Sequence, residues 1–235
     1  MMKSEEVDLR REQEATAARP RYPYSATARF FFGAMDRLAG PETTLAKARM
    51  VEALASIPYR AWERRHTGRM SLAYDDPVLF TEGRELVRWA RTAQDNEYWH
   101  LLVVNEKLRQ EGTEDPRYMT RPIPFFMLAG YTFMMWAMAR LGIARSYLLN
   151  AEFEDHSEHY YAQLVAEHPE WEDQPVASSL VEEYGSFRSW ADVFRRIGLD
   201  ERDHMNASFL FAGRPELVVD YKGMPRTESG EAMVA

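Results

Sequence analysis

From Val78 to Gly112 the chain runs 35 residues without a proline, "VLFTEGRELVRWARTAQDNEYWHLLVVNEKLRQEG". Leu86, Trp89, Leu101, Val104 and Leu108 recur in it at roughly helical spacing. If continuous, it makes about ten turns of α-helix. Proline and glycine divide the rest of the chain into similar patterns, and no segment reads as a sheet strand. The spacing predicts a helix over 22–40, stopped by Gly40. The next, "PETTLAKARMVEALASIPYRAWERRH", opens on a proline and an acid and carries Pro58 as a kink or a loosened turn. "TGRMSLAYDDP" reads as a loop. Further helices are expected over the uncharged run Ile123 to Ala139, over "ARSYLLNAEFEDHSEHYYAQLVAEHPE", and over roughly 187–211. Six helices, four of them long, predict an all-α bundle. Residues 23–212 read as one helical domain, between a flexible tail at 1–22 and another at 213–235.

Composition narrows the chemistry. With no cysteine in 235 residues, disulfides, Cys-ligated zinc, iron–sulfur clusters and thiol catalysis are excluded. A net charge of −8 argues against a nucleic-acid partner, which calls for a basic face. The first twenty residues are charged throughout and lack the apolar core of a secretory leader, so none is expected. The 17 uncharged residues from Ile123 fall at the lower edge for a membrane span. They suit a buried bundle helix or a helix lying in one leaflet better than a crossing.

Two of the long patterns carry the same signature. "DNEYWHLL" places Glu97 three residues before His100, and "LDERDHMN" places Glu201 three before His204. Residues so spaced share a helix face, and a carboxylate and an imidazole there can grip one metal ion. Three of the six histidines have a glutamate at this spacing, where chance predicts about one in ten. The third pair, Glu63 and His66, lies among Arg60, Arg64 and Arg65, and such a cationic cluster repels a metal. It reads as a solvated helix end. For the other two, the alternative is a plain Glu–His hydrogen bond or an outward-facing glutamate.

A carboxylate-bridged two-metal bundle needs one further acid from each of two other helices. "ARMVEALASIP" offers Glu52 among apolar residues. "AEFEDHSEHYY" offers Glu152, Glu154 and Glu158. Four buried carboxylates would take up protons or metal, and two divalent cations neutralise them. Carboxylate and imidazole ligands suit iron or manganese.

In order and context these motifs resemble the alternative oxidases, above all the plastid terminal oxidase branch, over about Tyr24 to Phe211. "VEALASIP" matches with Glu52 and Pro58 six residues later. "NEYWHLL" matches with Asn96, Glu97, His100 and Leu101. "FEDHSEHYY" matches when Glu154 is paired with Tyr161 seven residues on, which also puts His159 at a position where many members have histidine. "DERDH" matches with Asp200, Glu201 and His204. The resemblance implies a ferritin-like di-iron four-helix bundle core with two additional helices. It implies Glu52, Glu97, His100, Glu154, Glu201 and His204 as ligands of two iron ions, manganese being the less expected metal. Asn96, His159 and Asp200 are implied as groups that orient the ligands, and Tyr161 as a transient electron donor. Its substrate would be a quinol, oxidised by dioxygen, with Lys47, Val51 and Tyr160 at the quinol pocket. Lys47 stands where the family has arginine, Tyr160 where it has threonine, and Asp155 and His156 take the second and third places of what is usually a run of three acids. These departures leave the metal ligands intact.

The family docks on one membrane leaflet without spanning. The resemblance therefore implies peripheral attachment from the cytoplasm or an equivalent compartment, through "RFFFGAM" and the 123–139 helix, with Arg29, Arg37, Arg121 and Arg140 meeting the headgroups. Those faces could equally pack in the core or in a homodimer. Two other functions stay open from the residues: a soluble di-iron oxidase or oxygenase acting on another small molecule, favoured by a mean hydropathy of −0.50, and a metal-free helical protein.

Overall fold

A computed structural model of the chain describes residues 7–120 and 122–224. Among the described residues it forms eight α-helices and no strand. They are α1 (Leu9–Ala18), α2 (Ala26–Ala39), α3 (Leu45–Leu72), α4 (Pro77–Glu111), α5 (Ile123–Leu141), α6 (Ile143–Glu167), α7 (Ser179–Tyr184) and α8 (Trp190–Phe211). The chain divides into two compact units, one of Leu45–Ser146, the other of Met1–Thr44 with Tyr147–Ala235.

In the first unit, α4 is the long rod expected from the apolar spacing. The Asp76 carboxylate accepts from the Val78 and Leu79 amides, and Pro77 follows at the first helical position. Gly112 closes the helix in the left-handed conformation, φ 65°. α3 runs six residues past the expected end, through Thr67–Leu72, which the sequence reading had placed in a loop. Gly68 is the only breaker there, and the following Arg, Met and Leu favour helix. Met70 also packs on α4 where Gly83 leaves room, since a β-carbon on Gly83 would come 2.8 Å from Met70 Cγ. Pro58 does not stop α3, although it removes one intrahelical hydrogen bond. Past it, the Tyr59 ring stands edge-on to Trp62 and to Trp89 of α4, with centroids 5.3 and 5.2 Å away. Such pairs stabilise by roughly 0.5–1.5 kcal/mol each beyond their buried area.

α5 buries Tyr131, Met135 and Ala139, a stripe at four-residue spacing. Its other side is apolar too, yet it leaves Phe125, Phe126 and Phe133 65–70% exposed. No helix among the described residues is long and apolar enough to cross a membrane.

The second unit corrects the expectation of a flexible N-terminal tail. Residues 9–18 form α1, capped by the Asp8 carboxylate on the Arg11 amide and packed on α8. The sequence hides this helix because its contacts are polar. Gln13 donates to the Ala162 carbonyl of α6, and Glu12 accepts from Arg202 of α8. The region beyond 212 is likewise held in part. Asn206 of α8 accepts from the Val219 amide at 2.8 Å and donates to its carbonyl at 3.0 Å. Residues 1–6 and 225–235 of the two expected tails, and Arg121, lie outside the described residues. α8 is buried along most of its length, its start held by Trp171 and Phe194, 4.8 Å apart. Gly198 lets α6 approach, since a β-carbon there would stand 3.3 Å from Tyr161 Cβ.

Candidate metal centre

Each unit carries one buried group of two carboxylates and an imidazole. In the first, α3 supplies Glu52 and α4 supplies Glu97 and His100. All three are at most 2% exposed, and one ligand atom from each lies within 4.8 Å of the others. His100 Nδ1 stands 3.4 Å from Glu97 Oε2 and 3.7 Å from Glu52 Oε2. The Glu97–His100 approach follows from one helical turn, whereas Glu52 arrives from another helix.

In the second unit, α6 supplies Glu154 and α8 supplies Glu201 and His204, again buried and again with ligand atoms within 4.8 Å. His204 Nδ1 lies 3.5 Å from Glu201 Oε2. Of the three acids open on α6, Glu154 joins this group. The other two are used elsewhere. Glu152 accepts from the Ser25 amide and hydroxyl ahead of α2, and Glu158 accepts from Thr16, Arg19 and Arg202.

The donor set of each group is two hard oxygen ligands and one nitrogen, with a formal charge of −2 once both acids are ionised. A divalent cation cancels that charge, and carboxylate–imidazole sets suit iron and manganese. Buried Glu/His groups that could hold a metal ion are therefore a feature of this fold.

Asn150 was not singled out from the sequence. It stands one turn before Glu154, and its Nδ2 lies 2.8 Å from Glu154 Oε1 and 3.2 Å from Ser208 Oγ, one turn past His204. A metal-binding carboxylate is commonly oriented by such a contact. The available signal was an asparagine one turn before the candidate acid.

The residues expected to orient the ligands are placed variously. The His159 ring lies between two main-chain carbonyls, with Nδ1 2.7 Å from Asp155 O and Nε2 3.0 Å from Arg19 O, at the junction of the end of α1 with α6. Asp200 accepts from Tyr184 and Arg196. Asn96 is half-buried beside Glu97. Next to His204, burial pushes the Asp203 carboxyl up to about 6, against the pull of Arg196.

Tyr161 is 2% exposed, two turns past Glu154 on α6, with its ring parallel to Phe194 at 6.1 Å. The Tyr160 hydroxyl donates to the Thr44 carbonyl and accepts from the Thr44 amide, which clasps the segment before α3. Lys47 is buried on α3, and Val51 is half-buried beside Glu52.

Glu63 and His66 belong to neither group, and His66 is half-buried rather than solvated. Glu63 accepts from Arg91 and Gln94. Burial, then Arg65 and Arg69, hold the His66 imidazole down at about 4. It is not at a helix end, because α3 continues beyond it.

No family model, no curated protein and no solved structure matches the chain.

Proposed function

We propose that the chain is a non-haem di-iron quinol oxidase of the ferritin-like kind, in which each Glu/Glu/His group holds one iron. The observation that carries this reading is the doubling. Each unit offers the same three ligands, two on one helix and a third brought by another. Bound ferrous ions would supply electrons to dioxygen. The overall balance is two quinols plus one dioxygen giving two quinones plus two waters.

The chain's own residues have separate tasks. The four glutamates cancel the metal charge, and Asn150 holds Glu154 in one orientation. Tyr161, buried and two turns from Glu154, is the candidate one-electron donor. The exposed face of α5 supports docking on a lipid surface. Phe125, Phe126 and Phe133 are open there, and the Arg140 guanidinium lies 4.9 Å from the Trp136 ring centroid, where it can reach headgroups. Exposed Arg29, Phe30 and Arg37 of α2 offer a second point of attachment.

A second reading is a di-iron oxidase for another small molecule, without a membrane. The Tyr160 hydroxyl, expected at the quinol pocket, is already committed to Thr44.

The test combines two measurements on one preparation. Anaerobic reconstitution should give about two irons per chain, and a short-chain quinol should then drive oxygen uptake that persists in cyanide, because no haem takes part. A full iron complement without quinol-dependent uptake selects the second reading. Absence of bound metal removes both.

A further inference from the structure

We infer that Arg202 is a positioning residue for the Glu154–Glu201–His204 group, and that it makes metal binding there depend on the docking of the N-terminal helix α1. The inference rests on the two-metal reading above.

Arg202 directly follows Glu201 on α8, and Glu158 stands one turn past Glu154 on α6. Arg202 Nε donates to Glu158 Oε1 at 2.9 Å, so the two ligand-bearing helices are joined one residue from one ligand and one turn from another. Both side chains are at most 2% exposed. The rest of the guanidinium is spent on α1. One terminal nitrogen donates to Glu12 Oε2 at 2.6 Å. The other donates to Thr16 Oγ1 at 2.8 Å and to the Glu12 carbonyl at 3.1 Å. Thr16 in turn donates to Glu158 Oε1 at 2.6 Å, and Arg19, next after α1, pairs with the other Glu158 oxygen.

Three helices thus meet at one planar cation. Burying an ion pair costs about as much as it returns, and an apolar substitute is often no less stable. What the network provides is geometry. A guanidinium fork on one helix with partners on two others is satisfied in only one arrangement of the three. That arrangement is the one that brings Glu154 against Glu201 and His204. α1 contributes little apolar packing, with Thr16 its one buried residue. It is a polar latch on the back of the ligand helices.

The test compares full-length wild type with Arg202→Met, which keeps an unbranched stem and removes the charged fork. Anaerobic equilibrium dialysis against ferrous iron or cobalt(II) reads stoichiometry and affinity. In Arg202→Met, one ion should bind as in wild type and the other at least about 10-fold more weakly, the size typical of lost ligand-orienting contacts. The cobalt visible spectrum should change with it. Arg202→Lys should restore affinity only in part, because an ammonium lacks the fork. Glu12→Gln combined with Thr16→Val keeps the Arg202–Glu158 bond and removes side-chain contacts of α1 to the pair. It should also weaken one ion, and it decides the matter if Arg202→Met does not fold. Two ions bound at wild-type affinity in these variants would overturn the inference and leave the metal centre standing. No metal in wild type would remove both.

Discussion

Asn150 Nδ2 lies 2.8 Å from the Glu154 carboxylate on its own helix and 3.2 Å from Ser208 Oγ on α8. One amide therefore spans the two helices that carry Glu154, Glu201 and His204. Removing it frees the carboxylate to rotate while leaving every ligand atom in place. Asn150→Ala should lower metal affinity by about 10–100-fold with helix content unchanged. Metal titration followed by circular dichroism checks both parts.

Tyr161 is packed between α6 and α8, with its ring over Phe194 and its Cβ close to Gly198. Phenylalanine fits the same space. Tyr161→Phe should therefore keep the full metal complement and the wild-type melting temperature. If the hydroxyl supplies an electron, turnover should fall by at least about 10-fold, roughly 1.4 kcal/mol in the barrier. Unchanged oxygen uptake would return this residue to a packing role.

His66 supplies a pH dependence of known sign. Its folded value is about 4, against an ordinary 6.5, because burial and then Arg65 and Arg69 disfavour its charged form. Between those values the unfolded chain binds more protons than the folded one, so stability falls as pH falls through that window and is fully present above it. The His66 ring resonances should stay those of neutral imidazole until close to pH 4. His66→Phe should flatten the fall in melting temperature between pH 6.5 and 4.

The exposed aromatic face of α5 is tested by charge. Phe126 and Phe133 are 67% and 70% exposed, so glutamate at either position disturbs little of the fold. Phe126→Glu and Phe133→Glu should each reduce flotation with anionic lipid vesicles while leaving metal content unchanged. Equal flotation would mean that α5 is not the attachment face.

The helices were legible wherever an apolar stripe marked them, as in α4 and α8, because a helix that buries one face must repeat its apolar residues near every 3.6 positions. Helix α1 was not legible, since Glu12, Gln13 and Thr16 hold it by hydrogen bonds and leave no periodic trace. Asn150 and Arg202 were missed for a related reason. The Ser208 partner of Asn150 and the Glu158 partner of Arg202 lie 58 and 44 residues away in the chain.

By itself the sequence determined that Glu97 meets His100 and Glu201 meets His204, because three residues on a helix fold back to one face whatever surrounds them. The tertiary structure decided which second acid joins each pair. Glu52 must come from α3, and on α6 Glu154 meets the ligands while Glu152 goes to Ser25 and Glu158, one turn further along, goes to Arg202. Glu152 stands about 200° around the helix from Glu154, whereas Glu158 shares its side one turn along. Only packing against other helices selects among those directions.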